Sequence, residues 1–432
     1  MREAPIRRAD SALTGRARAA HEPFIWDITT LAALGAMLAL ALLPILGTLC
    51  AAAFLGAVIL LVVLKPLQSL DDIRRFAPLL SIALLALIST NWSDAPERTL
   101  RAGIQLFFTI VAAIVIARRV SAERVILMLF AGFTINLLVA LPYVPGALLR
   151  GYALVGLMGS KNAMAFSAHM LMALSLAIMV DHRQNRLARL AACAAIPASI
   201  AIIFLCHSAG ATASAIITLV AFPAFLLLGR LHISFRLGIL LTTLLLLIVA
   251  FIFLTDLQYA WADFRLTVLK KDATLTGRTY LWDFAFRLIA ERPALGHGYY
   301  AFWRQGNIDA EGLWRWAMIA SRTGFNFHNA FVEMLVDLGW VGFSVFLITC
   351  VSVAGMGLYR QITRPSIPMA FFLSMLAILF ARSYSETGLI APFSQMTFLL
   401  LATGIYAVAP SKKTGRPGIS EPREAAIVPR RV

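Results

Sequence analysis

Charge is scarce in this chain. Only 14% of its residues are Asp, Glu, Lys or Arg, and 60% are hydrophobic, against about 25% and 45–50% in ordinary soluble domains. A soluble fold of 432 residues has no interior large enough for that much apolar surface. The apolar residues also come in long blocks, and lipid is the solvent that suits them. A soluble enzyme and a disordered chain are both excluded. Cysteine is equally sparse: Cys50, Cys193, Cys206 and Cys350 lie inside apolar blocks without paired spacing, so no disulfide framework or zinc site is implied. Acidic residues are outnumbered, 22 against 38 basic, for a net charge of +16. The basic residues sit mostly in short segments between apolar blocks, the pattern of loops facing a cytoplasm and anionic lipid; nucleic acid is not implied as a partner.

The apolar run from Ile28 to Leu64 is too long for a signal peptide, and Pro44 and Gly47 break it into a hairpin. Further blocks sit at about 76–90, 102–117, 123–141, 162–180, 188–206, 208–229, 236–255, 330–357, 366–384 and 390–408. The expectation is an all-α polytopic membrane protein of about twelve spans, each near the ~20 residues a bilayer requires. Residues 1–26 form a basic tail, 27–255 carry spans one to nine, 256–329 form one large outer segment, 330–408 carry the last three spans, and 409–432 form a second tail. With the N-terminus inside, the tails and inner loops hold 24 Lys and Arg and the short outer loops five. That bias predicts cytoplasmic termini. No internal repeat is evident, which argues against an inverted-repeat transporter.

Within the outer segment, Leu281, Trp282, Ala285, Leu288 and Ile289 share one helical face and Asp283, Arg287 and Glu291 the other. Pro293 stops this helix and Gly296-His297-Gly298 makes the following turn. The pattern predicts an interfacial helix lying on the outer leaflet, with Trp303, Trp314 and Trp316 at headgroup level.

The chain then re-enters the membrane as Phe325-Asn-Phe-His328-Asn329-Ala-Phe-Val-Glu333-Met-Leu-Val-Asp337-Leu-Gly339-Trp-Val-Gly342. The pattern is His-Asn, nine residues, then Gly-x-x-Gly. Upstream stand Thr276-Gly-Arg278-Thr-x-x-Trp282, Pro293-x-Leu-Gly-His-Gly298, Asn91-Trp-Ser-Asp-x-Pro-x-x-Thr-Leu-Arg101 and Gly159-Ser-Lys161-Asn162. Jointly and in this order, these elements resemble the O-antigen ligase and polymerase superfamily. The resemblance implies periplasmic-face transfer of a glycan from undecaprenyl diphosphate to an acceptor hydroxyl, on a growing glycan or on lipid A-core, in the bacterial inner membrane. It implies no metal and no other cofactor, and it implies neighbours in the polysaccharide export machinery. Cys206-His-Ser208-Ala-Gly-Ala-Thr212 lacks the arginine that ligases usually carry there, which tilts the resemblance toward the exopolysaccharide polymerase branch.

The residue chemistry suits such work independently. A departing diphosphate needs fixed positive charge with forked donors, which Arg278 supplies. The acceptor hydroxyl needs a base near neutral pH, which His328 supplies. The ordinary alternatives are a phospholipid-facing arginine and an interfacial histidine with a satisfied hydrogen bond. Arg101, Lys161, Asn162, Asn329 and Arg382 are expected substrate contacts, with Glu386 a weaker candidate beside Arg382. Glu333 and Asp337, at i and i+4, are expected to position His328 or an arginine. His297 reads as a turn histidine, and Gly339 and Gly342 as sites of close helix packing. A transporter would place charge in mid-membrane, whereas here it gathers at outer span ends. A metal-dependent lipid-linked transferase would need carboxylates in the first outer loop, and Leu46–Thr48 has none. Asp309-x-Glu311 is a two-carboxylate pattern too small to define a cation site.

Overall fold

The computed structural model describes residues 27–252 and 277–408; the two basic tails, Thr276 and Lys412 lie outside the described residues. Among those described there are helices and no strand. Most long helices begin at a residue whose side chain accepts a backbone N–H from the first turn. Asp27 accepts from Thr30, Ser160 from Ala163, Asn185 from Ala188, and Ser366 from Met369. These caps satisfy donors that have no intrahelical partner. They set the starts of α1 (Ile28–Leu46), α8 (Lys161–Val180), α9 (Arg186–Leu205) and α15 (Ile367–Ser383). Between α1 and α8 lie α2 (Thr48–Leu64), α3 (Pro66–Arg75), α4 (Ser81–Ile88), α5 (Pro96–Arg119), α6 (Ala122–Ala140) and α7 (Val144–Arg150). After α9 come α10 (Ala209–Arg230), α11 (Ile233–Ile252), α12 (Arg278–Glu291), α13 (Ile308–Trp316) and α14 (Ala330–Thr363), and α16 (Gln395–Val408) ends the order.

Each of the twelve apolar blocks is helical over most of its described residues. Seven helical segments are long and apolar enough to cross a membrane alone, and α2 with α3, bent by 104°, would make an eighth. The others, including α15 and α16, are shorter apolar helices. The protein is therefore a polytopic helical membrane protein. Close approaches use small residues: a Cβ on Gly132 of α6 would lie 2.5 Å from Ala41 Cβ of α1. Some polar groups inside the bundle pair across helices. Asn136 Nδ2 donates to Ala41 O and Ser167 Oγ, and His169 Nε2 bonds Thr218 Oγ1 at 2.7 Å.

The amphipathic helix corrects one expectation. Leu281, Ala285, Leu288 and Ile289 of α12 are buried against protein, with Phe302, Trp303, Leu313, Trp314, Phe327, Val332 and Val336. The segment after α12 and the start of α14 cover the apolar face that amphipathicity alone assigned to lipid. Trp303 and Trp314 are buried in this second core, and of the three expected headgroup tryptophans only Trp316 is exposed, at 44%.

Candidate functional site

The site is built on a break in α14. Gly339 has φ 61° and ψ −163° inside that helix, a conformation essentially restricted to glycine. The break frees backbone groups for the turn after α12. His297 N and Gly298 N donate to Val336 O and Asp337 O, and Trp340 N and Val341 N donate to Pro293 O and Ala294 O. The two glycines meet face on. A Cβ on Gly296 would lie 2.6 Å from the Asp337 carbonyl, and one on Gly339 would lie 2.5 Å from that of Ala294. Gly339 is thus a hinge between two motifs rather than a helix-packing glycine. Gly342 sits just past the hinge, where a Cβ would meet Leu338 Cβ at 2.1 Å.

The loop before α5 docks on the same turn. Asp94 Oδ2 lies 2.9 Å from His297 Nδ1, and its Oδ1 pairs with Arg292 at 2.9 Å. Trp92 Nε1 donates to Leu295 O, and Thr99 and Arg98 donate to the carbonyls of Tyr299 and Tyr300. His297 is buried, with its Nε2 on Leu288 O. It is a turn histidine that also clamps two segments.

This frame holds the His328 loop. Phe327 N donates to Glu333 Oε2 (2.9 Å), Phe327 O accepts from Trp282 Nε1 (2.9 Å), and His328 N donates to Asn326 Oδ1 (2.8 Å). His328 takes φ +51°, strained for a residue with a Cβ. Glu333 therefore holds the peptide that precedes His328. Asn329 is buried, and its side-chain oxygen accepts from Phe331 N and Val332 N. It is the cap of α14, a structural role beside its expected substrate contact; the residue after the loop must begin the helix, and asparagine does so well.

His328 and Arg278 line one cavity of about 310 Å³ with Leu281, Trp316, Ala317 and Phe325. Behind the imidazole, Glu386 Oε2 lies 3.8 Å from Nδ1, an ion-pair separation rather than a hydrogen bond. Burial works to raise the Glu386 carboxyl, but the His328 contact and the charges of Arg382, His328 and Arg278 outweigh it and hold it below its ordinary value. Arg382 stacks over Phe166 at 4.5 Å, and its buried Nε has no partner. Three segments distant in sequence thus bring an arginine, a histidine, a carboxylate and a second arginine together.

Arg101 and Lys161 are exposed, and Asn162 Oδ1 accepts from Ser208 Oγ; none of the three lines this cavity. Glu333 and Asp337 line a neighbouring cavity with Arg98. Sequence reading missed Arg98, although it lies one helical turn before Arg101 on α5, the spacing of neighbours on a helix face. Glu311 is committed to Gly306 N and Arg322. No group of three or more His, Cys, Asp or Glu is clustered among the described residues.

The fold and the site define a class: a polytopic helical membrane protein with an arginine–histidine cleft at the mouth of a broken helix. Residues 194–347 match the family described as O-antigen ligase, a stretch that holds Arg278, His328 and the Gly296–Gly339 hinge. The chain is also similar to the exopolysaccharide production protein ExoQ of Rhizobium meliloti (strain 1021). The two are 29% identical over 371 residues, which cover 84% of this chain and 83% of that protein. The chain is thus similar to the O-antigen ligase family over the stretch that holds the site, and to an exopolysaccharide production protein over most of its length.

Proposed function

We propose that the protein transfers a glycan from undecaprenyl diphosphate to an acceptor hydroxyl on the periplasmic face of the inner membrane, polymerising exopolysaccharide or O-antigen repeat units. The observation that carries this reading is the shared cavity of Arg278 and His328, with Glu386 behind the imidazole. Nδ1 faces Glu386, which leaves Nε2 for the acceptor. The hydroxyl gives its proton to Nε2 as its oxygen bonds the anomeric carbon. In the same step the bond from that carbon to the diphosphate breaks, and the diphosphate leaves with the electron pair. Arg278 meets the charge that develops on the leaving oxygens, and Arg382 supplies a second fixed charge from behind Glu386. The anionic Glu386 holds the ring and offsets the imidazolium charge. No step uses a metal or nucleotide.

Purified protein should transfer glycan from an undecaprenyl-diphosphate-linked donor with chelator present. His328→Ala should transfer ~10²–10⁴ times more slowly while inserting normally. Wild-type speed in that variant, or loss of wild-type activity in chelator, would reject the mechanism. The family description favours a second reading, ligation to lipid A-core, whereas the relative's name favours exopolysaccharide. A deletion strain decides between them. Loss of polymer with single repeats retained means polymerase, and polymer missing only from lipopolysaccharide means ligase.

A further inference from the structure

Beside the His328 loop lies a second cavity of about 260 Å³, whose lining includes Arg98, Tyr300, Trp303, Glu333, Asp337 and Thr387. Phe325 forms part of the wall of both cavities. Trp303 is only 8% exposed, and its indole N–H lies beside the Glu333 carboxylate without a hydrogen bond of normal geometry, a loosely satisfied state for a buried donor. Glu333 Oε2 accepts from Phe327 N–H, and the indole of Trp303 is the other donor beside this carboxylate. The lining therefore offers aromatic faces, an indole donor without a well-formed bond, a phenol, a threonine hydroxyl, one guanidinium and two carboxylates.

That inventory selects a ligand class. An anion would meet two carboxylates against one arginine. A lipid tail would leave every polar group in the wall unpaired, which is costly in a buried place. A sugar ring has apolar faces for the aromatics, and each hydroxyl both donates to a carboxylate and accepts from an indole or guanidinium. We infer that this cavity holds the terminal sugar ring of the acceptor glycan, across Phe325 from the diphosphate of the donor. The inference rests on the proposed transfer reaction and adds where the acceptor sits. Donor and acceptor then reach His328 from opposite sides of one aromatic ring.

The test uses repeat-unit oligosaccharides prepared by mild acid hydrolysis of the polysaccharide made by cells that carry this protein. Their binding to the purified full chain is measured by calorimetry, and their use as acceptors by transfer kinetics. Thr387→Phe fills the cavity and should raise both Kd and acceptor KM by about tenfold or more, with affinity for undecaprenyl diphosphate unchanged. Tyr300→Phe removes one hydroxyl and almost no volume, so it reports even if the larger side chain disturbs folding. It should raise acceptor KM about fivefold. Wild-type transfer with acceptor KM unmoved in both variants would overturn the sugar site and leave the reaction standing. Oligosaccharide binding that Thr387→Phe abolishes, in a wild type that transfers nothing, would keep the sugar site and reject the reaction.

Discussion

Arg278 opens α12 directly after Gly277, which has φ 81°, so its guanidinium starts from the positive end of a helix dipole. Its worth to a departing diphosphate lies in forked donors as much as in charge. Arg278→Lys keeps the charge and loses the fork, and should retain partial transfer at best; Arg278→Ala should retain less. A lysine variant equal to wild type, with alanine within a few-fold, would reduce the arginine to a lipid anchor. Glu386 gives a prediction in pH. Its folded value lies below the ordinary 4.5. Its contacts therefore stabilise the fold in full above 4.5, and the contribution is lost as pH falls through the depressed value. Glu386→Gln should lower the thermal midpoint at neutral pH, and the gap to wild type should close in acid. A gap that persists in acid would mean that the carboxylate charge is not what stabilises the loop. Because Glu386 acts through His328, Glu386→Asp should restore more transfer than Glu386→Gln.

At the scale of elements, the hinge in α14 carries the site. Gly339→Ala would put a left-handed backbone and a 2.5 Å contact with Ala294 on the same residue. Positive φ costs a residue with a Cβ about 1–3 kcal/mol, and the clash adds to it. Gly355 lies on the same helix with open space around it. Gly355→Ala should therefore leave the thermal midpoint unchanged, whereas Gly339→Ala should lower it by several degrees and abolish transfer. Equal behaviour of the two variants would remove the hinge from the account. The helices themselves were legible in the sequence, because long apolar runs and capping residues are local signals. Arg278 and His328 stood out through the motifs that carry them, and the structure brings both to one cavity. What covers α12 was not legible: an amphipathic face says that something apolar lies against it, and Phe302, Trp303 and Trp314 reach it only in three dimensions. The cap at Asn329 and the crossing of Gly296 with Gly339 were hidden for the same reason. Arg98 was passed over because the chain holds many arginines near helix ends, and only tertiary contact distinguishes the one that faces Asp337.

For the whole molecule, contacts between loops sort them into two groups. Arg118 of α5 pairs with Asp72 of α3 at 2.8 Å, Arg183 with Glu123 at 3.1 Å, and Arg236 donates to Ile362 O. All of these lie in loops expected inside. Asp94 with Arg292, Ser208 with Asn162, and His328 with Glu386 join loops expected outside. The same partition follows from the positive charge, which assigns the first group to the cytoplasm. On the topology proposed above, the site and its hinge would face the periplasm, where a lipid-linked glycan would be polymerised. Single cysteines in a cysteine-free background test this, since Cys193 is exposed in the native chain. Gly306 is exposed and belongs to the outer group, whereas Gln184 lies in an inner loop and Lys412 in the C-terminal tail. In intact cells a membrane-impermeant maleimide should modify cysteine at 306 and spare 184 and 412; permeabilised cells should show labelling at all three. Labelling at 184 in intact cells would invert the molecule and put His328 on the cytoplasmic face. A reaction there would need a different donor pool, so this result would reject the periplasmic transfer while leaving the fold and the cleft as described.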